Sequence, residues 1–128
     1  MLSDLNKTKN KKILVAEDDE VNFLLVEEIL EKYRFQIIHA ITGIEAIELC
    51  NRHEDIELVL MDIKMPEMSG LEATRKIKEF RPDLPIVAQT AYAMTTDKKN
   101  ALEAGCTDYL AKPIRILELE NIIKKYFQ

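Results

Sequence analysis

Four short stretches each end on, or run straight into, a residue able to do chemistry. Glu17 and Asp18 follow the apolar run "ILVA" (13–16), and Asp62 closes "LVLM" (58–61). Thr90 ends "PIVAQT" (85–90), and Lys112 ends "DYLAK" (108–112). A carboxylate at the end of an aliphatic run is costly unless water solvates it or a cation pairs with it. Carboxylates drawn into one cleft repel and raise one another's pKa, and a hard divalent cation resolves that conflict. Mg2+ suits a site with few carboxylates and several waters. The Thr90 hydroxyl and the Lys112 ammonium complement an oxyanion, specifically phosphate. Together these groups make a phosphoryl-transfer site. Asp62, in the middle, is its well-placed nucleophile, and attack would give an acyl phosphate.

Taken singly, each residue has a plainer reading. Glu17, Asp18 and Asp19 could cap a helix, and Asp19 is expected to do only that. Asp62 could meet solvent at a strand end. Thr90 could serve its strand by β-branching, and Lys112 could be a solvated surface lysine. What these readings leave unexplained is the coincidence of all of them at the same end of successive strands.

The elements that must position them are regular. Runs of strand length occur at 13–16, 36–40, 58–61, 85–90 and 108–112, with helix-length stretches between. The first helix, about 20–33, carries Val21, Leu25 and Ile29 on one line. In the second, Gly43, Ala46, Ile47 and Cys50 are spaced i, i+3, i+4, i+7; in the third, Gly70, Ala73, Ile77 and Phe80 share a face. The fourth, about 95–104, has the fewest apolar anchors, and the last repeats the helical pattern at Leu119, Ile122, Ile123 and Tyr126. Aliphatic strands alternating with helices imply a parallel sheet covered on both faces, an α/β doubly wound domain. The expected strand order at this size is the flavodoxin-like 2-1-3-4-5, which places ligands beyond the carboxyl ends of the strands, where the order reverses. Strands 1 and 3 are then neighbours, and Asp62 faces Glu17 and Asp18.

In this order and with these intervals, "ILVAEDDEVN", "LVLMDIKMPEMSG", "PIVAQTAYAM" and "AGCTDYLAKPI" resemble the receiver domain of two-component response regulators over about residues 11–127. The resemblance implies that Asp62 accepts a phosphoryl group from the phosphohistidine of a histidine kinase or histidine phosphotransfer domain. It implies Asp18 as a direct Mg2+ ligand, Glu17 acting largely through bound water, and the Lys64 carbonyl as a further ligand. Thr90 becomes the switch threonine, Lys112 the phosphate-pairing lysine, and Tyr109 the aromatic that changes rotamer. The face of helix 4, strand 5 and helix 5 then carries the output, and the Lys112–Pro113 peptide is expected to be cis. Glu17-Asp18 departs from the commoner Asp-Asp pair. Lys64 and Tyr92 fall at positions bordering the path of an attacking water. The wording "EDDEVN" and "TAYAM" points to receivers of hybrid histidine kinases, with residues 1–11 as a polar tail or linker and 12–128 as the domain. Two rival readings are a Mg2+-dependent phosphohydrolase using an aspartyl phosphate, and a degenerate receiver acting only as a binding module. Against the hydrolase, the position two after Asp62, where such enzymes carry a second acid, is Lys64.

The whole chain sets the remaining bounds. At 128 residues, 47% hydrophobic and 32% charged, it is one globular domain. A net charge of −5 argues against nucleic acid or an anionic membrane as partner. No run reaches membrane-span length and no signal peptide opens the chain, so the expected location is cytoplasmic, or the cytoplasmic end of a membrane-bound hybrid kinase. Cys50 and Cys106 form no CxxC pattern and are expected to pack as small hydrophobes. His39 and His53 are read as structural or surface residues.

Overall fold

The computed structural model describes residues 6–91 and 95–127; Tyr92 lies outside them. Strands and helices alternate in the order β1 (Lys12–Ala16), α1 (Glu20–Glu31), β2 (Gln36–Ala40), α2 (Gly43–Arg52) and β3 (Ile56–Asp62). Then follow α3 (Gly70–Phe80), β4 (Ile86–Thr90), α4 (Thr95–Ala104), β5 (Asp108–Ala111) and α5 (Ile116–Tyr126). The five strands form one parallel sheet in the order β2-β1-β3-β4-β5, as expected.

Side chains alternate across each strand and so feed two cores. On one face Ile13, Val15, Leu58, Leu60, Val87 and Leu110 pack with residues of α1 and α5. On the other, Leu14, Ala16, Val59, Met61, Ile86 and Ala88 pack with residues of α2, α3 and α4. Every residue of β4 is buried, as is all of β3 except Glu57, which explains their near-continuous aliphatic sequence. Helix starts follow from local chemistry. Asp19 accepts from the Val21 N–H at 2.9 Å, Thr42 from Glu45 at 3.0 Å and Ser69 from Glu72 at 3.2 Å.

Two expected apolar faces are corrected. In α1 the buried residues are Val26, Ile29 and Leu30, whereas Val21 is 76% exposed and Leu25 only half-buried. The helix is apolar on more than one side, so its i, i+4 line did not identify the packed stripe. Phe80, expected on the core face of α3, is 41% exposed because it closes the helix, beyond the buried turns at Ala73 and Ile77.

Ion–dipole contacts close the end of the sheet away from the strands' carboxyl ends. Arg81 donates to the Ile56 carbonyl at 2.7 Å and to that of His53 at 3.4 Å. Lys78 donates to the carbonyls of Pro82 and Leu84. Of the segment expected as a tail, Thr8 is buried and donates to the Tyr33 carbonyl at 2.6 Å, while Asn10 N–H donates to Arg34. On the α1–α5 side, the Tyr33 hydroxyl donates to Glu120 at 2.6 Å, and Phe35 packs on Phe127 with ring centroids 4.9 Å apart. Lys125 and the Tyr126 hydroxyl both reach Asp108 at 2.7 Å, tying α5 to β5.

Candidate functional site

The carboxyl ends of β1, β3, β4 and β5 open into one cleft, lined by Glu17, Asp18, Asp62, Lys64, Thr90 and Lys112. Asp97, from the first turn of α4, joins them. The register explains the convergence. Ala16 pairs with Met61, so the next residues, Glu17 and Asp62, stand level on neighbouring strands.

Asp62 is 4% exposed and held from two sides. The Lys64 N–H donates to its Oδ1 at 3.2 Å, and the Lys112 ammonium donates to its Oδ2 at 2.8 Å. Lys112 also makes an ion pair with Glu17 Oε1 at 2.9 Å. Burial alone would lower the Lys112 pKa, but Asp62 and Glu17 outweigh it and hold the pKa above its ordinary value.

Glu17 is fully buried. Burial first, and the neighbouring Asp62 second, push its pKa up to about 7 against the opposing pull of Lys112. Its backbone is fixed as well. The Glu17 N–H donates to the Ala40 carbonyl at 2.9 Å, and its own carbonyl accepts from His39 Nε2 at 2.7 Å. The His39 ring stacks on Phe23, with centroids 3.5 Å apart and planes 7° from parallel. The side chain expected to act through water is thus paired directly with Lys112 in this structure.

Thr90 is buried, and its hydroxyl reaches Asp97 Oδ2 at 3.5 Å. Tyr109 does not line the cleft. It pairs with Ala88 in the sheet, shares the α3–α4 side with Thr90, and lies with its ring centroid 5.1 Å from Lys98 Nζ. The Lys112–Pro113 peptide is cis. Cys50 and Cys106 are buried, free and remote from the cleft.

Glu17, Asp18 and Asp62 each offer a carboxylate oxygen, and these oxygens lie within 4.8 Å of one another. Hard oxygen donors at that spacing fit a small divalent cation such as Mg2+. Three residues of this neighbourhood were not singled out from the sequence as site residues: Asp97, His39 and Gln89. Asp97 carried a weak signal as an acid in a first helical turn. The other two carried none: His39 touches the site through the Glu17 carbonyl, and Gln89 lies inside a strand beside Asp62.

The sequence matches the family model of the response regulator receiver domain over residues 13–124. It is 36% identical to the polar-differentiation response regulator DivK of Brucella ovis over 118 residues, 91% of this chain and 95% of that protein. Among solved structures it resembles the receiver domain of a Pseudomonas aeruginosa sensor histidine kinase, which holds a magnesium ion coordinated in its active site cleft. That match has 35% identity and a TM-score of 0.84, covering 92% of this chain and 98% of the other. It also resembles the receiver domain of the Saccharomyces cerevisiae response regulator Ssk1, solved with the histidine phosphotransfer protein Ypd1. There the identity is 29% and the TM-score 0.87, covering 94% of this chain and 90% of that one. Among the described residues no helix is long and apolar enough to cross a membrane.

Proposed function

The chain belongs to the response regulator receiver domain family, the phosphoacceptor domains of two-component signalling, and we propose that Asp62 is its phosphorylated residue. One observation carries this reading: the Lys112 ammonium lies 2.8 Å from Asp62, on the floor of a cleft that also gathers Glu17, Asp18 and Thr90.

The phosphoryl donor is the phosphohistidine of a histidine kinase or histidine phosphotransfer domain. The solved Ssk1–Ypd1 complex supports that class of partner. Asp62 attacks phosphorus, a P–O bond forms as the P–N bond breaks, and the donor imidazole leaves with the electron pair. Lys112 and the Thr90 hydroxyl gather the new phosphoryl oxygens. Glu17, Asp18, Asp62 and the Lys64 carbonyl would hold Mg2+, which when bound neutralises charge on the phosphoryl oxygens. The magnesium-bearing Pseudomonas receiver supports that cofactor. Hydrolysis of the acyl phosphate resets the switch, so the domain modifies itself and turns over no substrate for others.

Thr90 and Tyr109 share one side of the sheet. Movement of Thr90 toward the phosphoryl group frees space for Tyr109 to turn inward and biases the face of α4, β5 and α5.

The test is intact mass after incubation with acetyl phosphate and Mg2+, beside Asp62→Asn and a chelator control. Gain of a single phosphoryl group requiring both Asp62 and Mg2+ is expected. Continuous release of phosphate without an adduct would identify a hydrolase. Neither adduct nor turnover from folded protein would identify a binding module.

A further inference from the structure

Gln89 is the residue of the sheet that neither core nor cleft accounts for. It is fully buried, and its amide nitrogen and oxygen both lack a hydrogen-bond partner among the described residues. Buried amides are ordinarily satisfied, so this one calls for a partner of its own.

The register identifies that partner. Gln89 pairs with Asp62 on one side and with Leu110 on the other. Strand alternation puts Gln89 on the same face as Val87, and Asp62 on the same face as Leu60; both belong to the α1–α5 side. Neighbouring strands lie about 4.8 Å apart. Gln89 therefore stands directly beside Asp62, in the layer beneath the cleft.

Lys112 follows β5 yet contacts Asp62 on β3 and Glu17 beyond β1. Its side chain can reach them only by crossing β4. Two positions beyond Leu110, it lies on the face where Gln89 stands. An ammonium has three donors: one is given to Asp62, and Glu17 Oε1 stands 2.9 Å away as an ion-pair partner. Gln89 offers an acceptor oxygen next to that path.

We infer that Gln89 is a positioning residue for Lys112: its amide oxygen receives the ammonium when a divalent cation draws Glu17 away. The inference rests on the phosphoacceptor reading above. Without such a seat, Lys112 would compete with the cation for Glu17 or lose its place beside Asp62. With it, the ammonium stays at the height where a phosphoryl oxygen arrives.

The experiment uses the full chain, with Gln89→Met as a variant of similar shape and no acceptor oxygen, and Gln89→Leu as a second. Mg2+ alone is titrated while the Lys112 ε-methylene and ammonium resonances are followed by NMR, assigned with Lys112→Arg. Without Mg2+ the Lys112 signals of wild type and both variants should coincide, and the variants should melt no lower. With Mg2+ the wild-type ammonium should remain protected from exchange, whereas in both variants it should exchange freely. Mg2+ affinity should fall roughly tenfold in the variants, the worth of one hydrogen bond to a charged group. Variants that match wild type in both readouts would overturn the inference and leave the phosphoacceptor reading standing. A wild type that binds no Mg2+ would sink both.

Discussion

A Cβ on Gly70 would collide with the carbonyl oxygen of Asp62. The first turn of α3 rests directly on the backbone that carries the central carboxylate, and the Gly70 N–H donates to the Ile63 carbonyl at 2.7 Å. Backbone atoms cannot swing aside as a side chain can, so either α3 retreats or the end of β3 turns. Gly70→Ala should therefore cost about 1–3 kcal/mol of stability, the usual range for overpacking a tight site. Urea unfolding followed by circular dichroism measures it; an unchanged midpoint would contradict the packing described.

Glu17 gives the protein a pH dependence of known sign. Its folded pKa of about 7 lies above the ordinary 4.5. Between those values the folded state keeps a proton that the unfolded state has lost, so stability falls as pH rises from 4.5 to about 7 and then levels off. Glu17→Gln should abolish that decline and melt higher than wild type at pH 8 without metal. Thermal melts across the pH range check this.

The same carboxyl governs Mg2+ binding. Below pH 7 the ion must displace the Glu17 proton, so affinity should be roughly tenfold weaker at pH 6 than well above 7. Calorimetry in two buffers of different ionisation enthalpy should report proton release at pH 6 and almost none at pH 8.

Arg81 donates to two backbone carbonyls at the start of β3, those of Ile56 and His53, the second of which also accepts from the Ile56 N–H. Arg81→Ala should destabilise by about 1.5–3 kcal/mol, the range for hydrogen bonds to charged groups. Arg81→Lys should recover only part of that loss, because a single ammonium does not reproduce the guanidinium fork. Denaturant midpoints of the three proteins give the comparison.

Both cysteines should be inert in the native protein. Burial pushes the Cys50 thiol up to about 11 and raises that of Cys106, and the thiolate is the reactive form. A disulfide-exchange reagent at pH 8 should titrate neither until denaturant is added. Prompt labelling of native protein would contradict their placement.

Strand positions and order were legible because β1, β3 and β4 are buried on both faces and must be aliphatic. The site was legible for a related reason: parallel strands deliver their terminal residues to one edge, so the residues ending each run had to meet. Pairings made through register were not legible. Nothing near Glu17 or Lys112 in the sequence announces their contact at 2.9 Å. Gln89 read as one more strand residue in "IVAQT", since its unmet hydrogen bonds exist only once β3 and β5 flank it. The face of α1 was misjudged because Val21, Leu24 and Leu25 are as apolar as the buried Val26 and Leu30, and only packing separates them.

The contacts of α5 imply an uneven mechanics. The Tyr33–Glu120 hydrogen bond straps it to the turn after α1, Phe35 wedges against Phe127, and Asp108 anchors its last turn to β5. Opposite, α4 buries Ala101 and Ala104, side chains that surrender little contact area when they slide, and leaves Leu102 half in water. A push from Thr90 would meet a rigid frame through α5 and a compliant panel in α4, so displacement should collect in that panel.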